Sequence, residues 1–189
     1  MAAGGVLSGA NPMYNAADLA HQMRDANAKF VFTIPPFLPL VREGATAAGC
    51  EKIILLGEAE GTLSFASLLA CNDPEPIVSS DPDGLAALPF SSGTTGLAKG
   101  VMLTHRTLVS NICQWAEAFP SANASPVVLA FLPMFHIFGF TIVTLCGFAL
   151  GAKLVTVPRI ACHGCCAAQC GDLIDAWRAA SILALQAFF

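Results

Sequence analysis

Ser91-Ser92-Gly93-Thr94-Thr95-Gly96-Leu97-Ala98-Lys99-Gly100 gathers four hydroxyls, three glycines and one lysine into ten residues. Glycine lets a backbone turn tightly and bring its N–H groups close to an anion. The hydroxyls can donate to phosphate oxygens and the lysine supplies positive charge, so the composition suits a polyphosphate. The competing reading is a flexible surface turn. A Walker P-loop is excluded, because that pattern needs Gly-Lys-Ser/Thr and Ala98-Lys99-Gly100 stands here. A second group with chemical potential is His136, inside the apolar run Phe131-Leu132-Pro133-Met134-Phe135-His136-Ile137-Phe138-Gly139. Taken alone it reads as a core histidine satisfied by a backbone carbonyl. Four of the eight cysteines, Cys162, Cys165, Cys166 and Cys170, crowd together around His163. A structural zinc site draws its second ligand pair from a segment further along the chain. Here the second pair follows immediately, so the cluster reads as an irregular reduced tail and no metal site is assigned.

The elements that must position these groups alternate between strand and helix. Asn15 is placed to cap a helix carrying Leu19, Met23 and Ala26 at helical spacing, with Asp18 at N3. Lys29–Thr33 reads as a strand, Pro35-Pro36 as the start of a helix ending near Gly49, and Lys52–Gly57 as a buried strand. Thr62–Ala70 reads as a short helix, residues 72–84 as an acidic, proline-rich linker, and Leu85–Phe90 as a strand. Val101-Met102-Leu103 reads as a returning strand, with a helix capped by Thr104 running to about Phe119. The ten-residue motif is therefore expected at the tip of a hairpin rather than at a helix N-terminus. Val127–Leu132 reads as a strand, followed by a turn at Pro133 and an apolar helix from about Gly139. Asp172–Leu185 has a helical apolar face. This rhythm argues for an α/β architecture with a largely parallel sheet flanked by helices.

At 189 residues the chain has room for one domain with a sizeable core. Charged residues make up 12%, about half the usual share of ~25%. With a mean hydropathy of +0.65, that excludes a disordered chain. Nine Lys and Arg against thirteen Asp and Glu give −4, and the absence of a basic cluster excludes a nucleic-acid footprint. Val127–Gly151 is the nearest approach to a membrane span, but Pro133, His136, Gly139 and Gly147 interrupt it, and no transmembrane span is expected. The apolar, glycine-containing start at Met1 reads as the interior of a buried strand and its turn, not a secretory signal. That argues for a reducing compartment, with the cytosol as the default. The low charge suits a fragment of a larger protein.

Ser91–Gly100, continued by Val101-Met102-Leu103-Thr104-His105, resembles the first nucleotide-binding motif of the adenylate-forming acyl-CoA ligases. Phe131–Gly139 resembles the next motif of that family at a matching spacing, and Asn11-Pro12-Met13-Tyr14 with the following helix resembles its upstream segment. Within the family the chain is most similar to the 4-coumarate-CoA ligase-like branch. The resemblance implies part of the large N-terminal domain over residues 1–159, followed by a divergent cysteine-rich tail over 160–189. It implies an ATP-dependent carboxylic acid–CoA ligase that uses ATP, Mg²⁺ and CoA on a small aryl or fatty acid. By resemblance Ser91, Ser92, Gly93, Thr94, Thr95, Gly96 and Lys99 would hold the ATP phosphates. His136 and Phe138 would lie beside the acyl group, and Arg159 would meet CoA phosphate. Phe138 stands where coumarate-specific relatives often carry tyrosine, which keeps an apolar wall and removes a hydroxyl. No tyrosine follows Tyr14, so the family's Tyr-Gly-x-Thr-Glu motif is absent, and with it a Mg²⁺-holding glutamate. The ribose-binding aspartate and the C-terminal catalytic lysine are absent too. The chain alone is therefore expected not to complete a ligase cycle. The alternatives are a non-catalytic fragment that binds a nucleotide or a homologous chain, and the product of a decayed or mispredicted gene. Full-length relatives also occur in peroxisomes, but Ala187-Phe188-Phe189 is not a peroxisomal address.

Overall fold

A computed structural model describes residues 4–71, 81–91, 98–118 and 126–156. The first helix, α1 (Ala16–Asp25), starts as the sequence predicts. The Asn15 side chain accepts the Asp18 amide at 2.9 Å while Asp18 reaches back to the Asn15 amide, a reciprocal capping box. Strand β1 (Phe30–Thr33) leads through a 3₁₀ turn at Pro35–Phe37 into α2 (Leu38–Ala48). Gly49 ends that helix in the left-handed region at φ 70°, which a side chain would resist. β2 (Lys52–Leu55) then pairs parallel to β1 with Phe30 opposite Lys52. β3 (Leu63–Ser64) adds a third parallel strand before the short helix α3 (Phe65–Leu69). Leu19 and Met23 of α1 pack with Val41 and Ala45 of α2, and Val31 and Ile53 of the sheet close against them. The opposite face is bare: Phe30 is 54% exposed and Phe32 61%.

The helix expected over Thr62–Ala70 thus begins only at Phe65, because Leu63 and Ser64 are taken up by pairing with Ile54 and Leu55. The single strand expected over Leu85–Phe90 is two. β4 (Leu85–Ala87) and β5 (Phe90–Ser91) are separated by Leu88 and by Pro89, which has no amide to donate. The return is split to match. β6 (Lys99–Gly100) pairs antiparallel with β5, and β7 (Leu103–Thr104) pairs antiparallel with β4. Leu7 bridges to Ala87 in parallel, donating to Ala86 O at 3.1 Å and accepting from the Leu88 amide at 2.8 Å. The N-terminal stretch read as a buried strand is thus a single bridge, with Val6 and Leu7 both exposed, because one residue rather than a run meets β4.

Thr104 caps α4 (His105–Ala118), its hydroxyl accepting the Thr107 amide at 3.1 Å. Ala86, Ala87, Leu103 and Leu108 form the core here, with Ile137 and Phe140 against them. β8 (Val127–Ala130) pairs parallel to β9 (Lys153–Thr156). The apolar helix between them starts at Gly139 as expected but is π-helical over Gly139–Cys146, followed by the single turn α5 (Gly147–Ala149). Two hydroxyls compete for its carbonyls: Thr141 donates to Ile137 O at 2.7 Å and Thr144 to Gly139 O at 2.9 Å. Among the described residues β1–β2–β3 and β8–β9 form parallel sheets, while β4–β7 and the β5–β6 hairpin pair antiparallel in two further small sheets. Among the described residues no helix is long and apolar enough to cross a membrane. The acidic stretch 72–80, the end of α4 at Phe119, the helical face 172–185 and the cysteine cluster of residues 162–170 lie outside the described residues.

Candidate functional site

The β5–β6 hairpin sets Ser91 opposite Lys99 and Phe90 opposite Gly100. The glycine at position 100 has a packing reason. A Cβ there would lie 3.1 Å from Leu88 and 3.2 Å from the Phe90 ring. Ser91 and Lys99 are both exposed, and Lys99 makes no ion pair among the described residues. A hydroxyl and an unneutralised ammonium therefore flank the base of the ten-residue motif. Ser92, Gly93, Thr94, Thr95 and Gly96 lie outside the described residues, as does Arg159.

One contact reaches this hairpin from elsewhere in the fold. His21 of α1 sits with Nε2 3.2 Å from Ala98 O, and the same nitrogen is 3.6 Å from the Asp25 carboxylate one helical turn on. The next residue, Gln22, is buried and donates to Ser8 Oγ at 2.9 Å and to Gly9 O at 3.0 Å. Ser8 in turn donates to Leu88 O at 2.8 Å. Gly9 lies against the second motif so closely that a Cβ would stand 2.9 Å from the Phe135 backbone. The two motifs are thereby tied to one helix through consecutive residues. Only a cavity of about 20 Å³ remains in the seam lined by Leu7, Gly9, Pro89 and Phe135.

His136 is exposed, so the core reading of this residue does not hold. Its amide donates to Pro133 O at 3.1 Å, and its Nδ1 accepts the Phe138 amide at 3.3 Å. An N–H aimed at Nδ1 assigns the proton of the neutral ring to Nε2, which is then a donor. Phe138 is half-buried and packs on Ile142 and Cys146, so its ring helps seat the π-helix. Gly139 is required there: a Cβ would overlap the Pro133 carbonyl.

Burial pushes the Cys146 thiol from its ordinary 9.0 up to about 11. At the start of α4, Arg106 Nε and Nη2 donate to the Asp83 carboxylate at 2.6 and 2.9 Å. That pair holds the Asp83 carboxyl below its usual value and raises the guanidinium's. Both side chains are exposed, and the pair ties the turn at residues 81–84 to α4 rather than forming a site. A cleft of about 310 Å³ is lined by Thr46, Glu51, Lys52 and Thr62 and contains none of the motif residues. Among the described residues no group of three or more His, Cys, Asp or Glu side chains is arranged to hold a metal.

The chain belongs to the AMP-binding enzyme family, whose sequence model matches residues 1–187. That match runs past the boundary at residue 159 drawn from the motifs. The chain is 35% identical to 4-coumarate-CoA ligase 2 of Solanum tuberosum over 161 residues, which is 82% of this chain and 29% of that protein. Among solved structures it is similar to ATP-bound MatB from Rhodopseudomonas palustris, with a TM-score of 0.71 and 26% identity over 85% of this chain and 31% of that one. It is also similar to the anthranilate CoA ligase AuaEII in complex with anthranoyl-AMP, with a TM-score of 0.68 and 26% identity over 82% of this chain and 31% of that one. The fold is thus that of adenylate-forming ligases, over less than a third of such a protein's length. His21 is the residue that sequence reasoning missed. Its partner is 77 positions away, and no local pattern announces the contact.

Proposed function

We propose that this chain carries the nucleotide-phosphate hairpin and part of the acyl-binding wall of an ATP-dependent carboxylic acid–CoA ligase. The observation that carries the reading is the hairpin base, where exposed Lys99 faces Ser91 with no ion pair among the described residues. An unneutralised cation beside hydroxyls and glycines fits a polyphosphate and has no evident structural use there. ATP supplies a leaving group: the substrate carboxylate attacks the α-phosphorus, pyrophosphate departs and an acyl-adenylate forms. The thiol of CoA then displaces AMP. Ser91 and Lys99, with the hydroxyls and amides of residues 92–97, would hold the charge on the departing pyrophosphate. His136 would donate through Nε2–H to a nucleotide or acyl oxygen. The Phe138 ring would close an apolar wall suited to an aryl or fatty acid. Mg²⁺, CoA and Arg159 as its contact enter as what the family relationship implies.

The hairpin is expected to bind nucleotide through its phosphates. Calorimetric titration of the purified chain with MgATP and with adenosine tests this. Lys99→Ala should weaken MgATP about tenfold, the scale of one charge-assisted hydrogen bond, and leave adenosine unchanged. Equal weakening of both would sink the hairpin reading. A second reading, association with a homologous chain, is favoured by the bare Phe30 and Phe32 face of the parallel sheet, a face that parallel sheets ordinarily cover.

A further inference from the structure

The geometry points to His21 as a positioning residue for the hairpin, holding the Ala98 carbonyl so that Lys99 is presented to the triphosphate. The proposal rests on the phosphate reading of the hairpin. β5 and β6 are two residues each, and so short a ladder does not fix its own register firmly. The return arm therefore depends on contacts from outside the hairpin. Val101 donates to Pro89 O at 2.8 Å just past the ladder, and His21 meets Ala98 just before it. Lys99 is the residue between Ala98 and the end of the ladder, so the two contacts bracket it. α1 is fixed at its start by the capping box and along its length by Leu19 and Met23 in the core.

The chemistry of the contact is specific. A carbonyl can only accept, so Nε2 carries the proton and donates. Asp25 Oδ2, 3.6 Å from the same nitrogen, favours that orientation of the ring without replacing the carbonyl. His21 does not touch the ligand in this account. It acts through Ala98 on where the Lys99 ammonium stands.

Five proteins test this: the full chain, His21→Leu, His21→Gln, Lys99→Ala and the double variant of His21→Leu with Lys99→Ala. His21→Leu should weaken MgATP roughly three- to tenfold, the range of one hydrogen bond, with adenosine unchanged. His21→Gln, whose amide can donate, should recover most of that loss. In the Lys99→Ala background His21→Leu should cost little further, because the two residues act through one group. Amide exchange at residues 99–101 should quicken in His21→Leu alone. Equal losses for MgATP and adenosine, or full additivity with Lys99→Ala, would overturn the positioning role and leave a structural one. Failure of the unaltered chain to bind MgATP would refute the phosphate reading on which the role rests. In that event unchanged amide exchange in His21→Leu would refute the contact's hold on the hairpin as well, and quickened exchange would confine it to the fold.

Discussion

Nδ1 of His136 is occupied by the Phe138 amide, and that one hydrogen bond decides what the ring can offer: a donor at Nε2 and nothing else while it is neutral. His136, Phe138, Ser91 and Lys99 could be named as candidates from the family resemblance, because motif order and residue type are local facts. His21 was not legible. A histidine on a helix face is ordinary, and its value comes from a carbonyl brought to it by the fold. Cys146 makes a different residue-scale point. It is 1% exposed, and its thiol is pushed up to about 11 against an ordinary 9.0. It should resist a thiol reagent in the folded chain, while exposed Cys113 reacts; equal labelling rates would contradict the burial. The sign for stability follows. The unfolded chain loses this proton first, so the contribution of the neutral thiol is intact below pH 9 and is lost as pH rises through 11. Urea midpoints should fall over that window in the native chain and fall less in Cys146→Ala.

Elements with a local cause were read correctly. Asn15 with Asp18, Gly49 and Thr104 each mark a boundary through a side chain or a dihedral that the sequence displays. Asn15→Ala should cost about 1 kcal/mol by chemical unfolding, the usual worth of an N-cap. What was not legible at this scale depends on pairing. β3 exists only because Ile54 and Leu55 meet it, and the break that splits the expected hairpin into β4 with β7 and β5 with β6 is likewise set by pairing, of which propensity carries no record. The π-helical geometry of Gly139–Cys146 was hidden for a related reason, since threonines suit several conformations until their hydroxyls choose carbonyls. Gly139→Ala should be among the most damaging single changes, on the order of 3 kcal/mol, because the added methyl meets the Pro133 carbonyl and not a yielding side chain. A thermal midpoint within a degree of the parent would show that this turn relaxes freely.

The molecule as a whole exposes apolar surface in more than one place. Phe30 and Phe32 stand on the sheet, Val127 is 68% exposed on β8 and Phe148 66% exposed beyond the π-helix. Such surface ordinarily meets another surface. The chain spans 29% of the length of the Solanum tuberosum ligase it matches. The chain should therefore self-associate at micromolar concentration, and Phe30→Ser with Phe32→Ser should shift it toward monomer in light scattering; a monodisperse parent would remove the argument. The parallel strands carry one more consequence, in time rather than in space. β1 and β2 are joined by a single helix, so Phe30 need wait only until Lys52 has left the ribosome to find its partner, whereas Leu7 must wait for Ala87. Closing a short loop is fast and closing a long one is entropically dearer. The β1–α2–β2 unit should gain protected amides well before the β5–β6 hairpin does, so that during synthesis this scaffold is set before the arm bearing Lys99 finds its register.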